Sequence, residues 1–149
     1  SHVEQIEEAV SKLSPEELAA FRAWFAEFDA AAWDAQFERD VAAGALDELG
    51  EEALRDLRDG GVRNSDAPGF TAILERYHGL PAEVQKLANR SFELLKGNPR
   101  HPSLHFKKAG RFWSARVGLT HRALAIEADE DLIWFWIGSH GEYDRLLGR

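Results

Sequence analysis

A chain of 149 residues, 44% hydrophobic, can build one domain with a good core, or a small domain plus a helical segment, and is too apolar to be disordered. Nothing approaches the ~18 apolar residues of a membrane span, the acidic amphipathic N-terminus is unlike a secretory leader, and the lack of cysteine excludes disulfides and thiolate metal sites and fits a reducing cytoplasm. The net charge of −8 is split: residues 1–61 carry 5 Lys/Arg against 16 Asp/Glu, residues 62–149 carry 13 against 10, and five of six histidines lie in the second part.

Opposite signs in two parts predict that they bind each other. Methionine is absent, and Ser1-His2 is expected to be the scar of a cleaved tag. Val3, Ile6, Val10 and Leu13 recur at helical spacing and predict a short first helix. Ser14-Pro15-Glu16-Glu17 is a start signal, with Ser14 as cap, Pro15 at the first helical position and Glu17 closing a capping box. The second helix carries Leu18, Phe21, Trp24, Phe25, Phe28, Trp33, Phe37 and Val41 and ends at Gly44. A third runs from Leu46 to Arg58, with Leu49, Ala53, Leu54 and Leu57 on one stripe, and stops at Gly60-Gly61. Three short helices cannot bury so many aromatics alone, so a partner surface is expected to cover them; a self-contained bundle is the alternative.

Val62 to Gly69 is polar and turn-rich and marks the expected boundary, with a short edge strand at Val62–Asn64. Phe70, Ile73, Leu74 and Tyr77 read as a helix, and Val84, Leu87, Ala88, Phe92 and Leu95 as another ending at Gly97. Asn98 to Pro102 is a loop. Strands are predicted at Leu104–Lys108, Phe112–Val117, His121–Ala128 and Asp131–Ile137, joined by tight turns. The last, being the most apolar, is expected to be central, and a short helix covers Glu142 to Leu147. The second part is thus a small α+β domain, two helices before an antiparallel meander, preceded by an all-α segment.

Asn98-Pro99-Arg100-His101-Pro102-Ser103-Leu104, then Arg116-Val117-Gly118, His121-Arg122-Ala123-Leu124 and the ending Trp134-Phe135-Trp136-Ile137-Gly138-Ser139-His140-Gly141-Glu142-Tyr143-Asp144-Arg145-Leu146-Leu147 resemble the RelE/ParE toxin superfamily across residues 70–147. Residues 11–60, through Trp33, Phe37, Asp40, Gly44, Leu46, Leu49, Ala53 and Leu54, resemble the antitoxins encoded beside such toxins. The resemblance implies a type II toxin–antitoxin module in one chain, residues 1–61 inhibiting residues 62–149. That is a fusion, natural or engineered, at about Gly60–Asn64. It further implies a cytoplasmic, metal-independent endoribonuclease (an mRNA interferase, hence a hydrolase) that needs no cofactor. Its partners would be the inhibitory segment and, for the free toxin, mRNA with or without the ribosome. One branch of the superfamily poisons DNA gyrase instead.

Cutting RNA without metal requires that the 2′-oxygen lose a proton, the phosphate charge be stabilised and the 5′-oxygen gain a proton. His140, expected in a loop after the last strand, suits the acid, since histidine titrates near neutrality; the resemblance places an active-site histidine there. The other reading is a surface or capping histidine. Arg122 and Arg116 suit a phosphate through their planar forks, and the family places an arginine at Arg122; a salt bridge to the acidic part can coexist with that role. Tyr143 matches a tail aromatic that contacts RNA in relatives, or packs the last helix. Lys107 is a candidate for activating the 2′-hydroxyl, and Lys108 and Arg111 for holding the RNA backbone, although a basic pair on a strand more often just keeps an edge solvated. Relatives carry basic residues on the strand before Arg116, where this chain has Phe112 and Ser114, so the general base is open. Phe21, Trp24, Phe25, Phe28, Trp33 and Phe37 are the expected inhibitory contacts. His101, His105 and His121 lack metal-ligand spacing, so no metal is expected. Two other functions stay open: a gyrase poison acting by binding, and an inactive toxin fold repressing transcription on operator DNA, which the acidic first part opposes.

Overall fold

A computed structural model describes residues 1–58, 76–97, 104–129 and 131–149. The expected strand at Val62–Asn64, the boundary at 62–69, most of the helix from Phe70 and the Asn98–Ser103 motif with His101 lie outside the described residues. Among those described, the protein is α+β. Helices α1 (His2–Ser11), α2 (Pro15–Ala42), α3 (Asp47–Arg58) and α4 (Ala82–Gly97) precede strands β1 (Lys107–Ala109), β2 (Phe112–Val117), β3 (His121–Ala128) and β4 (Asp131–Ser139), and α5 (His140–Leu146) closes the chain. No described helix is long and apolar enough to cross a membrane.

Ser1 belongs to the fold, since its hydroxyl caps α1 by accepting from the Glu4 amide. The capping box expected at α2 is formed, with the Glu17 amide donating to Ser14 Oγ and the Ser14 amide to Glu17 Oε1. Gly44, at φ +79°, turns the chain toward α3 in a conformation that disfavours other residues.

The four strands form an antiparallel meander in the order β1-β2-β3-β4. β4 is therefore an edge strand among the described residues, not the central one. Its apolar character has another source: residues from both of its faces are buried. Leu124 pairs with Trp136 but Ala125 with Trp134, so Phe135 is an extra residue in the ladder. This bulge breaks strict alternation and sends Trp134 and Trp136 to opposite faces. β1 is also shorter than expected: it starts at Lys107, after a positive φ at His105, while Leu104 is buried ahead of it.

Each face of the sheet carries helices. On one, Phe112, Leu124, Ile126, Ile133 and Trp136 pack with Trp33 and Phe37 of α2, Leu46, Ala53 of α3 and Tyr143 of α5. On the other, Val117, Ala123 and Ile137 pack with Leu80 and Ala88, flanked by Tyr77, Val84, Phe92 and Trp134. α3 lies close on the sheet because residue 50 is glycine: a Cβ there would stand 2.6 Å from Ile126 Cδ1 and 2.8 Å from Phe112 Cζ. Gly50→Val is expected to overpack this contact and to cost about 1–3 kcal/mol, read as a lower urea midpoint at unchanged m-value.

Candidate functional site

β2 and β3 place Arg116 directly opposite Arg122 in the ladder. Two like charges so paired repel, and both arginines are buried, Arg122 to 1% exposure. Such a pair is tolerable only with a counter-charge, which α2 supplies. Arg122 Nη1 donates to Asp34 Oδ1 at 2.5 Å and Nη2 to the Ala30 carbonyl at 3.0 Å. Ser114 Oγ is a further acceptor for Nη1 at 3.5 Å. Arg116 reaches Asp34 Oδ2 at 3.8 Å and Glu27 Oε2 at 3.7 Å. Asp34 thus bridges the two guanidiniums. Burial pushes the Arg122 guanidinium below its ordinary value and the Asp34 hydrogen bond and charge pull it back. The Nε atoms of both arginines are buried and have no hydrogen-bond partner among the described residues, which leaves donor capacity for an anion.

His140 is not in a loop. It is the first residue of α5, whose Ser139 cap and Glu142 form a capping box. Its Nδ1 lies 2.9 Å from Asp29 Oδ2 and its Nε2 2.8 Å from Gln36 Oε1. The Gln36 amide is oriented by donating from Nε2 to Asp144 at 2.7 Å. Both ring nitrogens thus have an oxygen partner on α2.

Tyr143 is buried, and its hydroxyl donates to Asp40 Oδ2 at 2.7 Å. Burial, with the Asp40 hydrogen bond and charge, pushes the phenol well above its usual range. Asp40 also binds the Arg149 guanidinium. Burial disfavours the Asp40 carboxylate, but the hydrogen bonds from Arg149 and Tyr143 outweigh it and hold the carboxyl below its usual range.

Trp33 joins these groups. Its ring stacks on His140 at 4.6 Å and 8°, lies 4.9 Å from the Arg122 guanidinium carbon, and stands 5.7 Å from the Tyr143 ring. Four sequence-predicted residues, Arg116, Arg122, His140 and Tyr143, therefore converge beneath α2. Lys107 shares the α2 face of the sheet, opposite Ser114 in the ladder, and pairs with Glu38 at 2.9 Å.

The remaining candidates fall elsewhere. Lys108 points to the other face, where it pairs with Glu127 at 3.0 Å and lies over Trp113, so it is not beside Arg122. Arg111 sits at the far end of β2 from Arg116 and pairs with Glu51 of α3 at 2.7 Å. Of the expected inhibitory aromatics, Trp33 and Phe37 are buried against the sheet side and Phe21 is half-buried. Trp24, Phe25 and Phe28 are 56%, 48% and 57% exposed and, among the described residues, their rings contact one another and Phe21. Those three point off the other side of the helix, away from the described part of the sheet. His121 is half-buried on the face away from Arg122, its imidazole pushed down by burial against the pull of Glu142. Among the described residues, no three His, Asp or Glu side chains are grouped to hold a metal.

Asp29, Asp34, Gln36 and Arg149 were not singled out by the sequence, and Asp40 only as part of the antitoxin-like pattern. Asp29, Trp33, Gln36, Phe37 and Asp40 are spaced by three and four, so they share one face of α2. That spacing was the available signal.

Asp40 gives a pH test. With its carboxyl depressed in the folded state, its contribution is present above the unfolded value of about 3.9 and is lost as pH falls through the folded value. Asp40→Asn should lower stability at pH 7 and flatten the stability profile below about pH 4, measured by urea unfolding at a series of pH values. Equal slopes for both proteins there would remove Asp40 from the account. Compared with protein-family models, curated proteins and solved structures, the chain has no significant match in any of the three.

Proposed function

We propose that residues 62–149 are a metal-independent endoribonuclease of the RelE/ParE kind and that the acidic helices before them hold it inactive, a toxin–antitoxin module in one chain. One observation carries this reading: Arg116, Arg122, His140 and Tyr143, each chosen for RNA chemistry, come together, and each is bonded to a side chain of α2. Asp34 stands where a phosphate would be held, between two arginine forks. Trp33 lies on the His140 ring where a base would stack.

With α2 withdrawn, the arginines would hold the scissile phosphate and stabilise the charge that develops on it. His140 would give a proton to the leaving 5′-oxygen while the 2′-oxygen attacks phosphorus and loses its own. Lys107, on the same face of the sheet and released from Glu38, is the candidate to take that proton. Tyr143, released from Asp40, would position the RNA. The chemistry needs no cofactor, and chelators should leave cleavage unchanged.

The test is to loosen α2 in the whole chain. Trp33→Ala with Asp34→Ala removes the ring and the counter-charge together, and should convert an inert protein into one that cuts single-stranded RNA. Adding His140→Ala should then lower single-turnover cleavage by about 10²–10⁴-fold with RNA binding nearly intact, and adding Arg122→Ala should weaken both. A loosened chain that cuts RNA equally well with and without His140 contradicts the acid assignment. A loosened chain that inhibits DNA supercoiling and leaves RNA whole would support the gyrase-poison reading instead.

A further inference from the structure

The first half of α2 carries an apolar face that nothing among the described residues covers. At about 100° per residue, Leu18, Phe21, Trp24, Phe25 and Phe28 lie on one side of the helix. Ala30, Trp33 and Phe37, which are buried, lie on the opposite side. Past Phe28 the outward side continues as Ala31, Ala32, Ala35 and Arg39, all exposed. The outward face is therefore bulky in its first half and small in its second, with Glu17 near one end and Arg39 near the other. Arg39 has no ion pair among the described residues.

Such a face complements itself. We propose that it is the docking surface for a second copy of this chain, α2 lying antiparallel on its counterpart with a two-fold axis at Phe28. Every residue then meets the one equally far beyond Phe28 in the other copy. Phe25 meets Ala31, Trp24 meets Ala32 and Phe21 meets Ala35, so that these three rings each fall on an alanine, while Phe28 meets Phe28 of the other copy. Glu17 meets Arg39, which forms two ion pairs related by the axis. Each contact occurs twice, as an isologous interface requires.

The size fits as well. The exposed parts of Trp24, Phe25 and Phe28 amount to roughly 300 Å² per copy. With Leu18, Phe21 and the alanines, the pair would bury on the order of 1,000 Å² in total, about the threshold for a specific interface. A contiguous apolar patch of a few hundred Å² is as large as a soluble monomer usually exposes, and such patches are often functional. The acidic residues around the stripe disfavour RNA or DNA as its occupant. Because the stripe points away from the sheet, pairing leaves Asp34, Trp33 and the arginines undisturbed, and the proposal stands apart from the reading of the site.

Sedimentation of the intact protein tests it, with the expectation of twice the 16.8 kDa chain mass at micromolar concentration. Trp24→Glu, at an exposed position, should raise the dimer dissociation constant at least roughly tenfold with an unchanged circular dichroism spectrum. Glu17→Lys and Arg39→Glu should each weaken the dimer several-fold, and the double reversal should restore it. The chain has no cysteine of its own. Phe28→Cys, on the axis, should form a disulfide between copies on mild oxidation, whereas Ala35→Cys, about 20 Å from its equivalent along the helix, should not. A protein that stays monomeric at about a hundredfold higher concentration, or that becomes larger only with RNA or another protein, overturns the proposal. So does a dimer indifferent to Trp24→Glu, or an Ala35→Cys link as efficient as that at Phe28.

Discussion

Two arginines sit opposite each other on the two central strands of the sheet, and one of them is almost wholly out of water. Transferring an unpaired charge from water is too costly for a small domain, so the arrangement of Arg116 and Arg122 exists only because a carboxylate arrives from another element. Asp34 is that carboxylate, and it sits on α2. The docking of α2 and the burial of the arginines are one event. Trp33 adds a flat apolar surface over Arg122 and His140, and Phe37 continues the contact into the core. Asp29, Gln36, Glu38 and Asp40 then fall on His140, Lys107 and Tyr143 by helical spacing alone.

The same constraint bears on how α2 is held. A buried ion pair adds little net stability compared with apolar packing, yet breaking it by losing one partner is expensive. α2 is thus held by groups that strongly prefer to be covered by some anion, not by α2 in particular. A phosphate presents the same charge and geometry to an arginine fork as a carboxylate does. In the proposed function, inhibitor and substrate compete for one set of charges, and the buried Nε atoms left without partners among the described residues mark capacity that one carboxylate does not fill.

Much of this was legible in the sequence because local rules govern it. The Ser14 capping box, the stop at Gly44 and the tight turns between the strands all follow from short-range backbone and side-chain preferences. Three features were not. Strand order is set by pairing distant segments, and a fully apolar strand reads as central even when helices on both faces make it so, as at β4. The bulge at Phe135 has no local marker, and it decides which way the two tryptophans face. The third concerns α2, whose aromatics read as a single stripe because hydrophobic residues recur throughout. Their phase shifts by half a turn near residue 29, so the first group and Trp33 with Phe37 face opposite ways. The polar residues that bind the candidate site lie on the second face, and following phase instead of composition would have found them.

The account rests on Asp34 and the arginines acting as a unit, and a double-mutant cycle between Asp34→Asn and Arg122→Met measures that most directly. If the carboxylate is what makes the buried guanidinium tolerable, each single change should destabilise the protein in urea while the pair costs much less than their sum, giving a coupling of at least about 1.5 kcal/mol. Additive effects, with coupling within about 0.5 kcal/mol of zero, would mean that α2 is held by its apolar contacts alone and would contradict the account.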